Sequence, residues 1–145
     1  MGRKRASERF NISLFNTYGG QEMKTVLVVD DNKETTDMVK LMLELNNYGC
    51  VTANSAQECL ELMAKGKFDL ILLDMAMPVM SGLELLEKLK KEDRLAGNKI
   101  VLFTASPMYT DMDLEKIKER FGAVERVRKP FTETELVDVI KRHTD

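Results

Sequence analysis

Short apolar runs alternate along the chain with longer stretches in which apolar residues recur every three or four positions. TVLVVD (25–30), CVTA (50–53), DLILLD (69–74) and KIVLFT (99–104) are too short for helices, and their apolar residues are adjacent instead of alternating with polar ones. That pattern predicts strands buried on both faces. Between them, Met38, Leu41, Met42 and Leu45 fall at i, i+3, i+4 and i+7, which predicts the inward stripe of a first helix closed by Gly49. Ala56, Cys59, Leu60 and Met63 form the stripe of a second, opened by a Ser55–Glu58 capping box and ended by Gly66. Leu83, Leu86 and Leu89 face inward on a third, with Leu85 at its margin, and Leu114, Ile117 and Phe121 mark a fourth. AVERVRK (123–129) carries charges among its apolar residues, as an edge strand does. Thr132 with Glu135 opens a fifth helix lined by Leu136, Val139 and Ile140.

Five strand–helix units of roughly 25 residues predict an α/β domain, a doubly wound five-stranded parallel sheet with right-handed crossovers and helices on both faces. The pattern starts at Met23. Ahead of it, Arg3, Lys4, Arg5 and Arg9 oppose only Glu8 and Glu22, so this segment is basic in a chain whose net charge is −2. The predicted organisation is therefore a mobile basic tail over 1–22 and one domain over 23–145.

Composition then removes several classes of function. An acidic chain without a basic stripe has no electrostatic footprint for nucleic acid. No apolar run approaches the roughly 20 residues of a membrane span, and the basic N-terminus lacks the apolar core of a secretory signal. A cytoplasmic protein is expected. Cys50 and Cys59 do not have metal-ligand spacing and fall at apolar positions, which predicts buried, reduced thiols. The single histidine, His143, sits near the end of the last helix, so no histidine-based triad can be assembled.

Ligands of open parallel sheets bind outside the carboxyl ends of the strands. Strand one ends at Asp30-Asp31, strand three at Asp74, strand four at Thr104 and strand five at Lys129; strand two ends in the uninformative Ala53-Asn54. Each residue alone has an ordinary structural explanation, but three acids, a hydroxyl and a cation on one rim do not. Carboxylates roughly 5 Å apart repel by about 3 kcal/mol per pair at an effective dielectric near 20. A hard divalent cation such as Mg²⁺, which takes carboxylates, waters and phosphate oxygens together, answers that repulsion. Asp74 then reads as a carboxylate nucleophile, with Mg²⁺ and Lys129 on phosphoryl oxygens and Thr104 donating to another. Pro78 stiffens the loop after Asp74, Gly82 permits a close turn into helix three, and Met75, Met77 and Met80 read as loop packing.

VVDD (28–31), LLDMAMPVMSG (72–82), LFTA (102–105) and RKPF (128–131), in this order and spacing, resemble the receiver domain of two-component response regulators from Met23 to His143. The resemblance implies a flavodoxin-like fold with strand order 2-1-3-4-5 and transfer of a phosphoryl group from a phosphohistidine to Asp74. It implies Mg²⁺ held by Asp31, Asp74 and the Ala76 carbonyl, with Asp30 acting through water, and a cis Lys129–Pro130 bond. It further implies a histidine kinase or histidine phosphotransferase as donor and a downstream protein as target. The expected assembly is a monomer or weak homodimer that catalyses only its own phosphorylation and dephosphorylation. With helix five followed at once by Asp145, a stand-alone receiver is expected.

Rival functions on this fold meet specific obstacles. An aspartate-nucleophile phosphatase wants a second acid two residues after Asp74, where Ala76 stands. A flavin carrier wants a Ser/Thr/Gly-rich loop after strand one, where DDNKETT stands. A receiver that only binds has no use for intact acids, Thr104 and Lys129. The chain departs from the family at position 126, commonly an aromatic switch and here Arg126. An arginine cannot bury its guanidinium unpaired. It is expected to stay solvated and pair with an acid of helix four such as Glu115 or Glu119, leaving the signal to Thr104 and the loop 105–111.

Overall fold

The computed structural model describes residues 17–18, 21–105 and 107–145. Its centre is a parallel sheet of β1 (Thr25–Val29), β2 (Gly49–Ala53), β3 (Leu70–Asp74), β4 (Ile100–Thr104) and β5 (Glu125–Arg128), ordered β2-β1-β3-β4-β5. Five helices connect and follow the strands: α1 (Lys33–Leu45), α2 (Ala56–Lys65), α3 (Gly82–Lys91), α4 (Asp111–Phe121) and α5 (Glu133–Thr144).

The double burial expected of the strands is met by splitting alternate side chains between two cores. Leu27, Val29, Ile71, Leu73 and Leu102 pack with α2, α3 and α4, whereas Val26, Val28, Leu70, Leu72, Val101 and Phe103 pack with α1 and α5. Both Cys50 and Cys59 are buried free thiols, one in each core, and burial pushes both up to about 12. Neither is a thiolate nucleophile near neutral pH.

The structure corrects several details of the helices. On α1, Met38, Leu41 and Leu45 are exposed, and the buried stripe is Thr36, Val39 and Leu43 with Met42 beside it. Apolar residues at 38, 39, 41, 42, 43 and 45 surround most of the helix, so periodicity alone does not choose the inward face. Gly49 does not close α1. Asn46 is the cap, Asn47 takes φ 67°, and Tyr48 N–H bonds to the Leu43 carbonyl at 2.9 Å, while Gly49 already belongs to β2. This is the Schellman arrangement with asparagine in the left-handed position. Leu85, placed at the margin of α3 by its spacing, is fully buried beside Leu86 and Leu89, while Leu83 and Ile117 only border the core.

Ser55 accepts from Glu58 N–H, but the Glu58 carboxylate bonds to Asn54 N–H, one residue short of a reciprocal box. Reciprocal boxes open α3 (Ser81, Glu84), α4 (Thr110, Asp113) and α5 (Thr132, Glu135). No described helix is long and apolar enough to cross a membrane. Thr17–Tyr18 and Gln21–Glu22 pair with each other as a separate two-stranded ladder. The rest of the expected mobile tail lies outside the described residues.

Candidate functional site

Parallel pairing aligns the carboxyl ends of β1, β3 and β4, and the residues that end or follow these strands meet on one rim. Asp30 and Asp74 are buried and Asp31 is exposed; one carboxylate oxygen from each lies within 4.8 Å of the others. Such a set of hard oxygens fits a divalent oxygen-seeking cation. Lys129, immediately after β5, reaches over the group: its Nζ is 2.5 Å from Asp30 Oδ2 and 3.8 Å from Asp74 Oδ2. Among the described residues it is the one cation within ion-pair distance of these acids. The lysine is steered there from two sides. Its N–H bonds to the Thr104 carbonyl at 3.2 Å, and its ammonium lies 4.4 Å from the centroid of the Phe103 ring. Phe131 meets the same ring edge-on at 5.6 Å. The Lys129–Pro130 bond is cis.

Asp74 ends β3 with one oxygen accepting from Ala76 N–H at 3.1 Å. Burial is the main force raising its pKa, to about 6; the Ala76 N–H opposes the rise, Asp30 adds to it, Lys129 opposes it and Asp31 adds to it. The group is thus mostly an anion at neutral pH, but a costly one to keep buried. Thr104 is buried at the end of β4, one strand away.

Gly82 brings α3 against this strand end. A Cβ at this position would stand 2.4 Å from the Asp74 carbonyl oxygen and 2.6 Å from Met75 Cα, and Gly82 N–H bonds to the Met75 carbonyl at 3.1 Å. Met75 and Met77 are buried and Met80 packs against the core, as loop packing requires. Val79 is fully exposed at φ 69° in a three-residue turn closed by Met80 N–H to the Pro78 carbonyl. A β-branched residue there stores backbone strain, which nothing in its sequence signals.

Of the six sequence-predicted positions, the structure groups Asp30, Asp31, Asp74 and Lys129 directly. It ties Ala76 to Asp74 through its N–H and places Thr104 at the neighbouring strand end, its carbonyl accepting from Lys129 N–H. Sequence reasoning passed over Phe103, which carries the lysine, and Asn54. The Asn54 side-chain amide donates to the Asp30 carbonyl at 2.8 Å and to Thr36 Oγ1 at 3.0 Å. The available signal was its place directly after β2, on the same rim.

Arg126 stays partly exposed and pairs with α4. Its Nε donates to Glu115 at 2.9 Å and its Nη1 to Asp111 at 2.9 Å, while Arg128 also bonds to Asp111. Glu115 was one of the two expected partners; Asp111 takes the place of Glu119. These arginines hold the Asp111 carboxyl below the usual range.

The model of the response regulator receiver domain family matches residues 26–141. The phosphate regulon transcriptional regulatory protein PhoB of Pseudomonas aeruginosa is 34% identical over 118 residues, 81% of this chain and 50% of that protein. The sporulation initiation phosphotransferase F of Bacillus subtilis is 28% identical over 81% of this chain and 91% of its own length. Among solved structures, the Thermotoga maritima response regulator TrrA in complex with Mg²⁺–BeF superposes with a TM-score of 0.70. It has 35% sequence identity over 83% of this chain and 98% of that one. The chain spans about half the length of the first curated relatives it matches.

Proposed function

The chain belongs to the response regulator receiver domain family, and from that premise we propose that it is a phosphoacceptor whose nucleophile is Asp74. The observation that carries this reading is the convergence of Lys129 on two buried carboxylates beside an exposed third. An Asp74 oxygen attacks phosphorus and forms the O–P bond as the N–P bond of a donor phosphohistidine breaks. Lys129 sits where it can balance charge on the transferred oxygens, and the Thr104 hydroxyl donates to one of them. Asp31, Asp74 and the Ala76 carbonyl would hold Mg²⁺, with Asp30 acting through water; bound there, the ion would neutralise phosphoryl charge. A histidine kinase or histidine phosphotransferase supplies the group, and a protein target reads the altered surface.

Incubation with acetyl phosphate and Mg²⁺, followed by intact-mass measurement, is expected to show one added phosphoryl group that hydroxylamine removes, as it does any acyl phosphate. Omitting the divalent ion should suppress the adduct. An adduct that resists hydroxylamine would place the phosphate on a hydroxyl or a nitrogen and end the reading.

We propose further that residues 1–22 are dispensable to this unit, a reading supported, among the described residues, by Thr17–Tyr18 and Gln21–Glu22 pairing with each other and not with the five-stranded sheet. A chain beginning at Met23 is expected to melt within a few degrees of the full chain. A loss of several degrees beyond that would mean that the segment packs on the domain.

A further inference from the structure

We infer that Asn54 is a positioning residue for the cation site, fixing the peptide that joins Asp30 to Asp31. This rests on the reading that Asp30, Asp31 and Asp74 hold a divalent ion. The two acids are adjacent but differently placed, Asp30 buried and Asp31 exposed. Packing therefore holds the first, while the second depends on how its main chain is oriented.

Three contacts set that orientation. Asp30 N–H bonds to the Ala53 carbonyl at 3.0 Å, tying the turn to β2. Asn32 N–H bonds to Asp30 Oδ1 at 2.9 Å, tying the turn to the acid's own side chain. The Asn54 amide then donates to the Asp30 carbonyl at 2.8 Å. A carbonyl can only accept, so the amide nitrogen, and not its oxygen, must face the turn.

The second N–H of that amide goes to Thr36 Oγ1 at 3.0 Å, and the Thr36 hydroxyl donates in turn to the Lys33 carbonyl at 3.0 Å. Thr36 is fully buried on α1. Glu58 completes the brace from α2 by accepting from Asn54 N–H at 2.6 Å. One side chain thus links β2, the β1–α1 turn and the first turn of α1. Like charges on Asp30, Asp31 and Asp74 favour spreading of the turn before a cation arrives, and Asn54 opposes that spreading. Partners that orient ligands in this way typically change metal affinity by about 10- to 100-fold.

The test is Mg²⁺ titration of the full chain without any phosphodonor, followed by the amide resonances of residues 30–32. Asn54→Ala is expected to weaken Mg²⁺ binding by about tenfold and to shift those resonances already in metal-free buffer. The control is Asn46→Ala, which loses side-chain bonds to Met42 and Glu133 at the far end of α1. It should lower the melting temperature while leaving Mg²⁺ affinity unchanged. Unchanged affinity in Asn54→Ala, or an equal loss in Asn46→Ala, would overturn the role of Asn54 alone. A parent chain whose resonances at 30–32 ignore Mg²⁺ would overturn the cation site and this role together.

Discussion

Asp74→Asn is expected to abolish the hydroxylamine-labile adduct and, in buffer freed of divalent ions at pH 7.5, to stabilise the chain by about 2 kcal/mol. The two effects have one origin. The folded protein holds the carboxyl at about 6, mainly through burial, whereas an unfolded chain leaves it at about 4. A raised carboxyl pKa contributes stability that is fully present below about pH 4 and is lost as pH rises through about 6. Above that window the folded state carries a buried anion that an amide of the same shape avoids. Two pKa units correspond to about 3 kcal/mol, a net figure that already includes the attraction to Lys129 at 3.8 Å, and the cost of burying the polar amide in place of the carboxyl reduces it somewhat. Urea melts of both proteins at pH 7.5 and pH 4 measure this: the gap should be present at the first and closed at the second. Millimolar Mg²⁺ should narrow it by binding the folded parent. A metal-free Asp74→Asn protein less stable than its parent at pH 7.5 would show that Lys129 more than offsets the burial of Asp74.

How much of this could be read beforehand depended on which physical signal each residue sends. Leu27, Leu72 and Leu102 lie in runs with no polar neighbour, and only a sheet covered on both sides hides such runs, so strands and layers followed directly. Asp30, Asp31, Asp74, Thr104 and Lys129 were legible for a related reason. In a parallel sheet the end of each strand is a place in space as well as in sequence, and four such ends carry one chemistry.

The inward face of α1 was not legible, because Val39 and Leu43 compete there with Met38, Leu41 and Leu45 on equal hydropathic terms. Packing decides, with Thr36 buried because Lys33 and Asn54 satisfy its hydroxyl. Asn54 itself sends no signal of periodicity or charge; its importance lies in the reach of an amide across two strands. Arg126 was foreseen as solvated and paired, since burial of an unpartnered guanidinium is prohibitive. The choice of Asp111 over Glu119 depended on where α4 begins, and the Thr110–Asp113 cap fixes that start.

Gly82→Ala is expected to destabilise the chain by about 3 kcal/mol, near the upper end for added bulk in a packed interior, and to slow phosphorylation of the molecules that still fold. The glycine is required by contact and not by a left-handed backbone. An added Cβ would lie 2.4 Å from the Asp74 carbonyl oxygen, 2.6 Å from Met75 Cα and 3.1 Å from the Asp74 carbonyl carbon. All three atoms belong to the main chain, so no rotamer change relieves the overlap. Either α3 retreats or the end of β3 moves. Retreat pulls Leu85, Leu86 and Leu89 from the core and strains the Ser81–Glu84 cap. Movement of the strand carries Asp74 with it and lengthens its approach to Lys129. Gly97→Ala separates this effect from glycine loss in general: Gly97 has open space around it but φ 83°, so its substitution should cost about 1 kcal/mol through backbone strain alone. Urea melts and phosphorylation rates for the two variants would then differ in kind. Gly82→Ala should lose stability and rate together, and Gly97→Ala should lose a little stability at an unchanged rate. A Gly82→Ala protein within 1 kcal/mol of its parent and phosphorylated at the parental rate would mean that α3 yields freely, and that its close approach does not hold Asp74 in place.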